Sequence, residues 1–291
     1  MNRRRFIAGT VAAISALEAP PVRADTHTMT IDAHAHLFRR GLKLADVRRY
    51  APDYDATVEQ YLEQLDRNTV AKGVIVQPSF LGIDNSFMVE CIRAAPDRLR
   101  GIAVVDPNVA ADDLLRLNDA GVVGVRLNLI GRPLPELETP LWQAHLAILA
   151  RLNWQVEVQC KAVEHALLAP HLLGAGVNLV IDHFGLPDPG LGIDDPGFRS
   201  ILTLGKTGRL WVKLSAAYRL GPNGPALAQQ AYPLLKDSLG PDRLLWGSDW
   251  PHTQNEKSQN FEMNRRFLDQ LVPDLNERNR ILASGKPLFR F

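Results

Sequence analysis

Eight short runs of β-branched and aliphatic residues recur along this chain, each followed by a longer amphipathic stretch. That alternation restricts the fold more than any other feature. The runs occupy residues 29–34, 73–77, 101–105, 122–127, 154–159, 178–182, 210–214 and 243–246. Helical spacing of apolar positions appears over residues 56–68, 86–95, 110–119, 140–152, 163–173, 225–238 and 260–271, with a shorter sixth connection near 196–206. Parallel neighbours need a crossover of about a dozen residues or more, so strand and helix alternating eight times predict a closed (β/α)8 TIM-like barrel of the α/β class. Runs such as Gly73-Val74-Ile75-Val76 and Asn178-Leu179-Val180-Ile181 are apolar on both faces, as strands covered by helices require. An open doubly wound sheet would want a Gly-rich phosphate turn after its first strand, where this chain has Asp32-Ala33-His34-Ala35-His36. A single domain over residues 25–291 accommodates the pattern.

The first 24 residues differ in kind. Arg3-Arg4-Arg5 opens a basic segment, residues 6–17 are mostly small and apolar, and Val22-Arg23-Ala24 offers a small-x-small cleavage site. Such a stretch is too short to cross a hydrocarbon core of roughly 30 Å. The reading is therefore an export signal, removed near Ala24, that delivers the protein to the periplasm. Its paired arginines resemble the twin-arginine motif and imply that export machinery as a partner. A basic N-terminus on a cytoplasmic protein is the competing reading. The 33 Lys and Arg balance 32 Asp and Glu, and a net charge of +1 provides no long-range field for nucleic acid or an anionic membrane. Two cysteines, Cys91 and Cys160, form no metal-knuckle spacing and are expected as buried thiols.

In a barrel, chemistry sits at the C-terminal ends of the strands. Here those ends carry His34 and His36, Gln77 and Ser79, Asp106, Arg126 and Asn128, Glu157 and Gln159, Asp182 and His183, Lys213 and Ser215, and Ser248 and Asp249. Two histidines spaced by two on a strand share a face and can converge on one ion or one oxygen. A carboxylate at Asp249, closing the run Leu244-Leu245-Trp246-Gly247, reads as a general base or a ligand, with a helix N-cap as the alternative. Arg126, Arg132 and Arg219 fall on the same side, and guanidinium groups clamp carboxylates through paired hydrogen bonds. Three of them suit a small substrate with two carboxylates, unless they pair with Glu136, Glu138 or Asp188 at the surface. His252, three residues after Asp249, is a substrate-proximal candidate. His145, His165 and His171 lie on helices and read as structural.

Four segments, Ile31-Asp32-Ala33-His34-Ala35-His36, Ile181-Asp182-His183-Phe184-Gly185, Trp211-Val212-Lys213-Leu214-Ser215 and Trp246-Gly247-Ser248-Asp249-Trp250-Pro251-His252, together resemble the signatures of the amidohydrolase superfamily. Within it they resemble the 2-pyrone-4,6-dicarboxylate lactonase branch, over essentially residues 29–291. The resemblance implies a lactone hydrolase in which Asp249 activates water and His34, His36 and His183 polarise the carbonyl. It also implies that the arginines, Tyr50 and Ser79 hold the substrate. Gln159 stands where that branch has an aromatic hydroxyl. Members of the branch work without metal, whereas sugar lactonases and decarboxylases of the superfamily hold one Zn2+ or Mn2+, here on His34, His36, His183 and Asp249. The sequence departs from the two-metal pattern, since strand 5 has no His and strand 4 no Lys. A metal-dependent decarboxylase or sugar lactonase, and a non-catalytic periplasmic carboxylate-binding barrel, are the rival readings. The oligomeric state is not legible.

Overall fold

The computed structural model describes residues 29–291; the leader assigned to residues 1–24 lies outside them. Eight parallel strands stand in sequence order: β1 Ile31–Ala35, β2 Lys72–Val76, β3 Leu99–Ala103, β4 Val122–Asn128, β5 Gln155–Gln159, β6 Asn178–Ile181, β7 Leu210–Ser215 and β8 Leu244–Gly247. The helices between them are α1 Val58–Arg67, α2 Ser86–Ala94, α3 Ala111–Asp119, α4 Pro140–Arg151, α5 Ala162–Gly174, α6 Pro196–Thr203 and α7 Gly224–Leu239, followed by α8 Phe261–Leu271, α9 Leu275–Ala283 and α10 Lys286–Phe289. Each strand pairs in parallel with its successor from β1 to β8, which is the (β/α)8 barrel that the alternation predicts. No helix of the described residues is long and apolar enough to cross a membrane.

Local chemistry sets the element ends. The Thr57 hydroxyl accepts from the Gln60 amide while the Gln60 side chain accepts from the Thr57 amide, a reciprocal cap that starts α1. Asp195 accepts from the amides of Gly197 and Phe198 and starts α6, after which a short 3-10 turn over Leu204–Thr207 completes the crossover. This explains why the sixth connection looks short in sequence. α9 and α10 have no counterpart in the sequence reading, although Asp274, which accepts from the Glu277 amide at 2.7 Å, is a recognisable N-cap.

The larger core lies between strands and helices, with Leu65, Trp154, Leu179, Leu235 and Phe261 among its buried members. A smaller cluster joins Ile31, Val74, Val76, Ile102, Val180 and Leu245 to Leu288 and Phe289 of α10. Side chains two apart on a strand share a face, so Val180 lies below Asp182. The barrel is thus plugged with aliphatic side chains beneath its polar layer, and α10 closes that end. Cys91 and Cys160 are buried free thiols.

The seam between β1 and β8 decides where the chemistry lies. It is closed largely by one carboxylate instead of a strand ladder. Asp32 accepts from the Ser248 amide at 2.8 Å, the Ser248 hydroxyl at 2.6 Å, the Tyr61 hydroxyl at 3.0 Å and the His34 amide at 3.2 Å. Just above, the Asp249 amide donates to the His34 carbonyl at 2.8 Å and the His36 amide to the Trp250 carbonyl at 2.7 Å. Gly247 permits this approach, because a Cβ there would lie 2.6 Å from the Cβ of His34. Gly247→Ala is expected to cost about 1–3 kcal/mol and to lower turnover by displacing His34. Denaturant unfolding and steady-state kinetics on the same sample check both parts.

Candidate active site

The polar strand ends converge in two layers. The upper layer centres on Asp249, which is fully buried. Its Oδ2 accepts from the Tyr218 hydroxyl at 2.5 Å and from Arg219 Nε at 2.7 Å. Oδ1 has no hydrogen-bond partner and lies 3.6 Å from Nε2 of both His34 and His36, which are 3.3 Å from each other. Burial alone would raise the carboxyl's pKa. The charge of Arg219 first, and then the polar surroundings that His36, His183 and His34 provide, outweigh it and hold Asp249 well below the usual carboxylate range. The group is an anion with one oxygen held and the other free to accept.

Proton positions follow from the partners. His36 Nδ1 lies 2.8 Å from the Val76 carbonyl, which can only accept. Its Nε2 therefore carries a lone pair. His183 Nδ1 pairs with the Ser215 hydroxyl at 2.8 Å; if that hydroxyl donates, His183 keeps a proton on Nε2 and becomes the histidine able to donate to a carbonyl. Burial lowers the pKa of His36 and takes that of His183 to about 4, so both are neutral at neutral pH. The backbone is strained at the same places: φ is +48° at His183 and +60° at Asp249, values rare for residues other than glycine.

The lower layer is a buried charge network. The Lys213 ammonium bonds the Glu157 carboxylate and lies 3.4 Å from Asp182, while Arg126 lies 3.2 Å from Asp182 and 3.7 Å from Glu157. His34 joins the layers, its Nδ1 being 3.0 Å from Lys213 Nζ, 3.3 Å from Asp182 and 3.4 Å from Glu157. Sequence reading marks Glu157, Asp182 and Lys213 as strand ends, but their mutual pairing emerges only in three dimensions.

Three atoms, His34 Nε2, His36 Nε2 and Asp249 Oδ1, form a triangle with edges of 3.3, 3.6 and 3.6 Å. Donors about 2.0–2.2 Å from a common Zn2+ would be spaced in this way. A second grouping, His34, Asp182 and His183, also brings ligand atoms together. The residues fit a single divalent ion. They equally fit a metal-free site if Lys213 donates to His34 Nδ1 and the imidazole proton sits on Nε2, facing the Asp249 carboxylate.

Above the layers opens a cavity of about 530 Å³, part of it shared with solvent, whose lining includes His36, Arg49, Tyr50, Ser79, Arg126, Gln159, His183, Arg219 and Asp249. Among the sequence candidates, the structure brings His36, His183, Asp249, Arg126, Arg219, Tyr50, Ser79 and Gln159 to this cavity, with His34 directly beneath. Arg126 is bonded to Gln159 Oε1 at 2.7 Å as well as to Asp182. Arg126 and Arg219 therefore pair with Asp182 and Asp249, and not with Glu136, Glu138 or Asp188. Arg132 falls outside the lining; it is exposed, and its guanidinium donates to the Val47 carbonyl at 3.3 Å. His252 is buried behind Tyr218, with Nδ1 3.2 Å from the Tyr218 oxygen. Arg49 and Tyr218 are absent from the sequence candidates. Arg49 lies in an irregular segment and Tyr218 in a 3-10 turn over Ala217–Leu220 just after β7, although the arginine pair Arg48-Arg49 beside Tyr50 was available as a signal.

Comparison with known proteins identifies the family. The family model described as Amidohydrolase matches residues 31–284. A 4-sulfomuconolactone hydrolase of Hydrogenophaga intermedia is 29% identical over 263 residues, covering 87% of this chain and 86% of that protein. A 2-pyrone-4,6-dicarboxylate hydrolase of Comamonas testosteroni is 32% identical over 234 residues, covering 76% of each. Among solved structures, a "probable 2-pyrone-4,6-dicarboxylic acid hydrolase" from Acinetobacter baumannii with citric acid bound superimposes with a TM-score of 0.87 at 43% identity, covering 90% of this chain and all of that one. The chain belongs to the amidohydrolase family and is a hydrolase.

Proposed function

We propose that this hydrolase opens a small lactone carrying two acidic groups, with Asp249 as the base for the attacking water. The observation that carries the reading is the free Oδ1 of Asp249, buried between two histidines at the bottom of a cavity walled by arginines. Water held there gives a proton to Oδ1 as its oxygen adds to the lactone carbonyl. His183 is placed to donate to the carbonyl oxygen as negative charge develops. The ring C–O bond then breaks, and the departing ring oxygen takes the proton that Asp249 received. Arg219 and Tyr218 hold Oδ2, so that Oδ1 is the oxygen left to accept from water. The names of the relatives support the substrate class, since 4-sulfomuconolactone and 2-pyrone-4,6-dicarboxylate are both ring esters with acidic substituents. Gln159 bonded to Arg126 makes this wall differ from one built with an aromatic hydroxyl, so a ring other than the pyrone is a real alternative.

The donor triangle favours a second reading in which His34, His36 and Asp249 hold one Zn2+ or Mn2+, with His183 beside them. Such an ion would polarise the carbonyl and acidify water. A decarboxylase or a sugar lactonase falls within that reading. Hydrolysis of 2-pyrone-4,6-dicarboxylate and a panel of sugar-acid lactones, before and after chelation and with metal content recorded, separates the two. The expected result is turnover of an acidic lactone that survives chelation in metal-free protein. Loss on chelation with recovery on Zn2+ or Mn2+ moves the triangle from proton chemistry to ligation. Tight carboxylate binding with no turnover of any lactone would leave a binding barrel. Export to the periplasm through the twin-arginine route belongs to the same proposal and rests on residues 1–24 alone.

A further inference from the structure

The cavity's arginines differ in whether their charge is already matched. Arg219 is paired with Asp249, and Arg126 with Asp182. Arg49 lines the same cavity, yet among the described residues no carboxylate lies within 4.0 Å of it; its one side-chain bond is from Nη2 to Asn128 Oδ1 at 3.3 Å. Partial desolvation at the cavity wall lowers its pKa, and the charges of Arg126, Arg132 and Arg219 lower it further, so it belongs to one concentration of positive charge with them. Asp249 is fully buried whereas Arg49 is exposed, which places Arg49 at the mouth, away from the reacting oxygen.

The segment carrying it is fixed despite its lack of regular structure. The Ala45 amide donates to the Phe80 carbonyl at 2.8 Å, and Arg132 donates to the Val47 carbonyl. The hydroxyls of Tyr50 and Tyr54 both donate to Glu256 Oε1 at 2.6 Å. Residues 45–54 are thus tied to the ends of β2 and β4 and to the loop after β8, and Arg49 is held over the opening by contacts that do not use its own charge.

We infer that Arg49 determines specificity by binding the substrate carboxylate remote from the scissile carbonyl, with Arg132 positioning its segment through Val47. This rests on the acidic-lactone reading and adds to it: Arg126 and Arg219 serve mainly the buried carboxylates, and Arg49 selects dianions over monoanions.

The test is Arg49→Met and Arg49→Lys, assayed on 2-pyrone-4,6-dicarboxylate and on a matched pyrone monocarboxylate lacking the remote group. An ion pair of this kind is worth about 10- to 100-fold in binding. Arg49→Met should raise KM for the dicarboxylate by about that factor with kcat little changed, and leave KM for the monocarboxylate unaltered. Arg49→Lys should recover part of the loss. Citrate binding by calorimetry, which needs no turnover, should weaken by a similar factor in Arg49→Met. Equal KM changes on both substrates, or unchanged citrate binding, overturn the inference. Arg49-dependent citrate binding in a protein that opens no lactone sinks the lactonase reading and leaves the role of Arg49 standing; lactone opening indifferent to Arg49→Met does the reverse.

Discussion

Asp249→Asn is expected to lower kcat by about 10²- to 10⁴-fold, the range for loss of a positioned general base, while the protein stays folded and still binds citrate. Asparagine is the informative substitution for two reasons. Asp249 has a backbone φ of +60°, a conformation that asparagine adopts more readily than most residues. The amide also nearly matches the carboxylate in shape, so Tyr218 and Arg219 keep an oxygen to donate to, while the other position changes from an acceptor into an N–H donor facing His34 and His36. Thermal unfolding should report a modest change, because Arg219 loses a full ion pair but not its hydrogen bond. Normal turnover in a folded Asp249→Asn protein would remove Asp249 from the mechanism in both the metal-free and metal-bound readings.

The upper layer of the candidate site was legible in sequence because a barrel turns strand ends into site positions. His34, His36, His183 and Asp249 each close or directly follow an apolar run, and the fold alone brings those ends together. Arg126 was legible for the same reason. Arg49 and Tyr218 were not, since no periodicity says which way an irregular segment or a single 3-10 turn points its side chains; Arg49 reaches the cavity only because Tyr50 and Tyr54 fasten its neighbours to Glu256, 206 and 202 positions away. Arg132 shows the opposite case. Its place six residues after a strand-end arginine suggested a clamp, but the loop turns its guanidinium toward Val47. The seam carboxylate Asp32 lay inside a quoted motif, yet its closing role depends on four donors from three elements. At the C-terminal end, α10 is only four residues long and too short for helical spacing to be visible.

Lys213→Met should destabilise the fold by about 3–5 kcal/mol, the cost of removing one partner from a buried ion pair. Lys213 and Arg126 face Glu157 and Asp182 in a region where all four side chains are at most 3% exposed, so two cations offset two carboxylates with little help from water. Methionine fills much of the lysine's volume and leaves one carboxylate unmatched. Glu157 is the group that responds: burial, and then the charge of Asp182, already push its pKa up to about 7. A folded-state pKa above the unfolded value of 4.5 means that the native protein binds the proton more tightly, so stability is lost as pH rises from 4.5 through 7. Without Lys213 that window extends upward, and the deficit of Lys213→Met should grow between pH 5 and pH 8. Denaturant unfolding at both values measures it. Glu157→Gln added to Lys213→Met should restore much of the stability, because it removes the unmatched charge while keeping the shape. An equal deficit at both pH values with no rescue would mean that the loss comes from packing and not from the network. The same variant bears on catalysis through His34: without the Lys213 ammonium 3.0 Å away, and above the pH at which Glu157 ionises, Nδ1 faces only the acceptors Asp182 and Glu157 and must carry the imidazole proton. Nε2 then presents a lone pair to Asp249, which favours a bound cation and opposes the metal-free arrangement. Chelation-resistant turnover should fall in Lys213→Met by more than its stability explains.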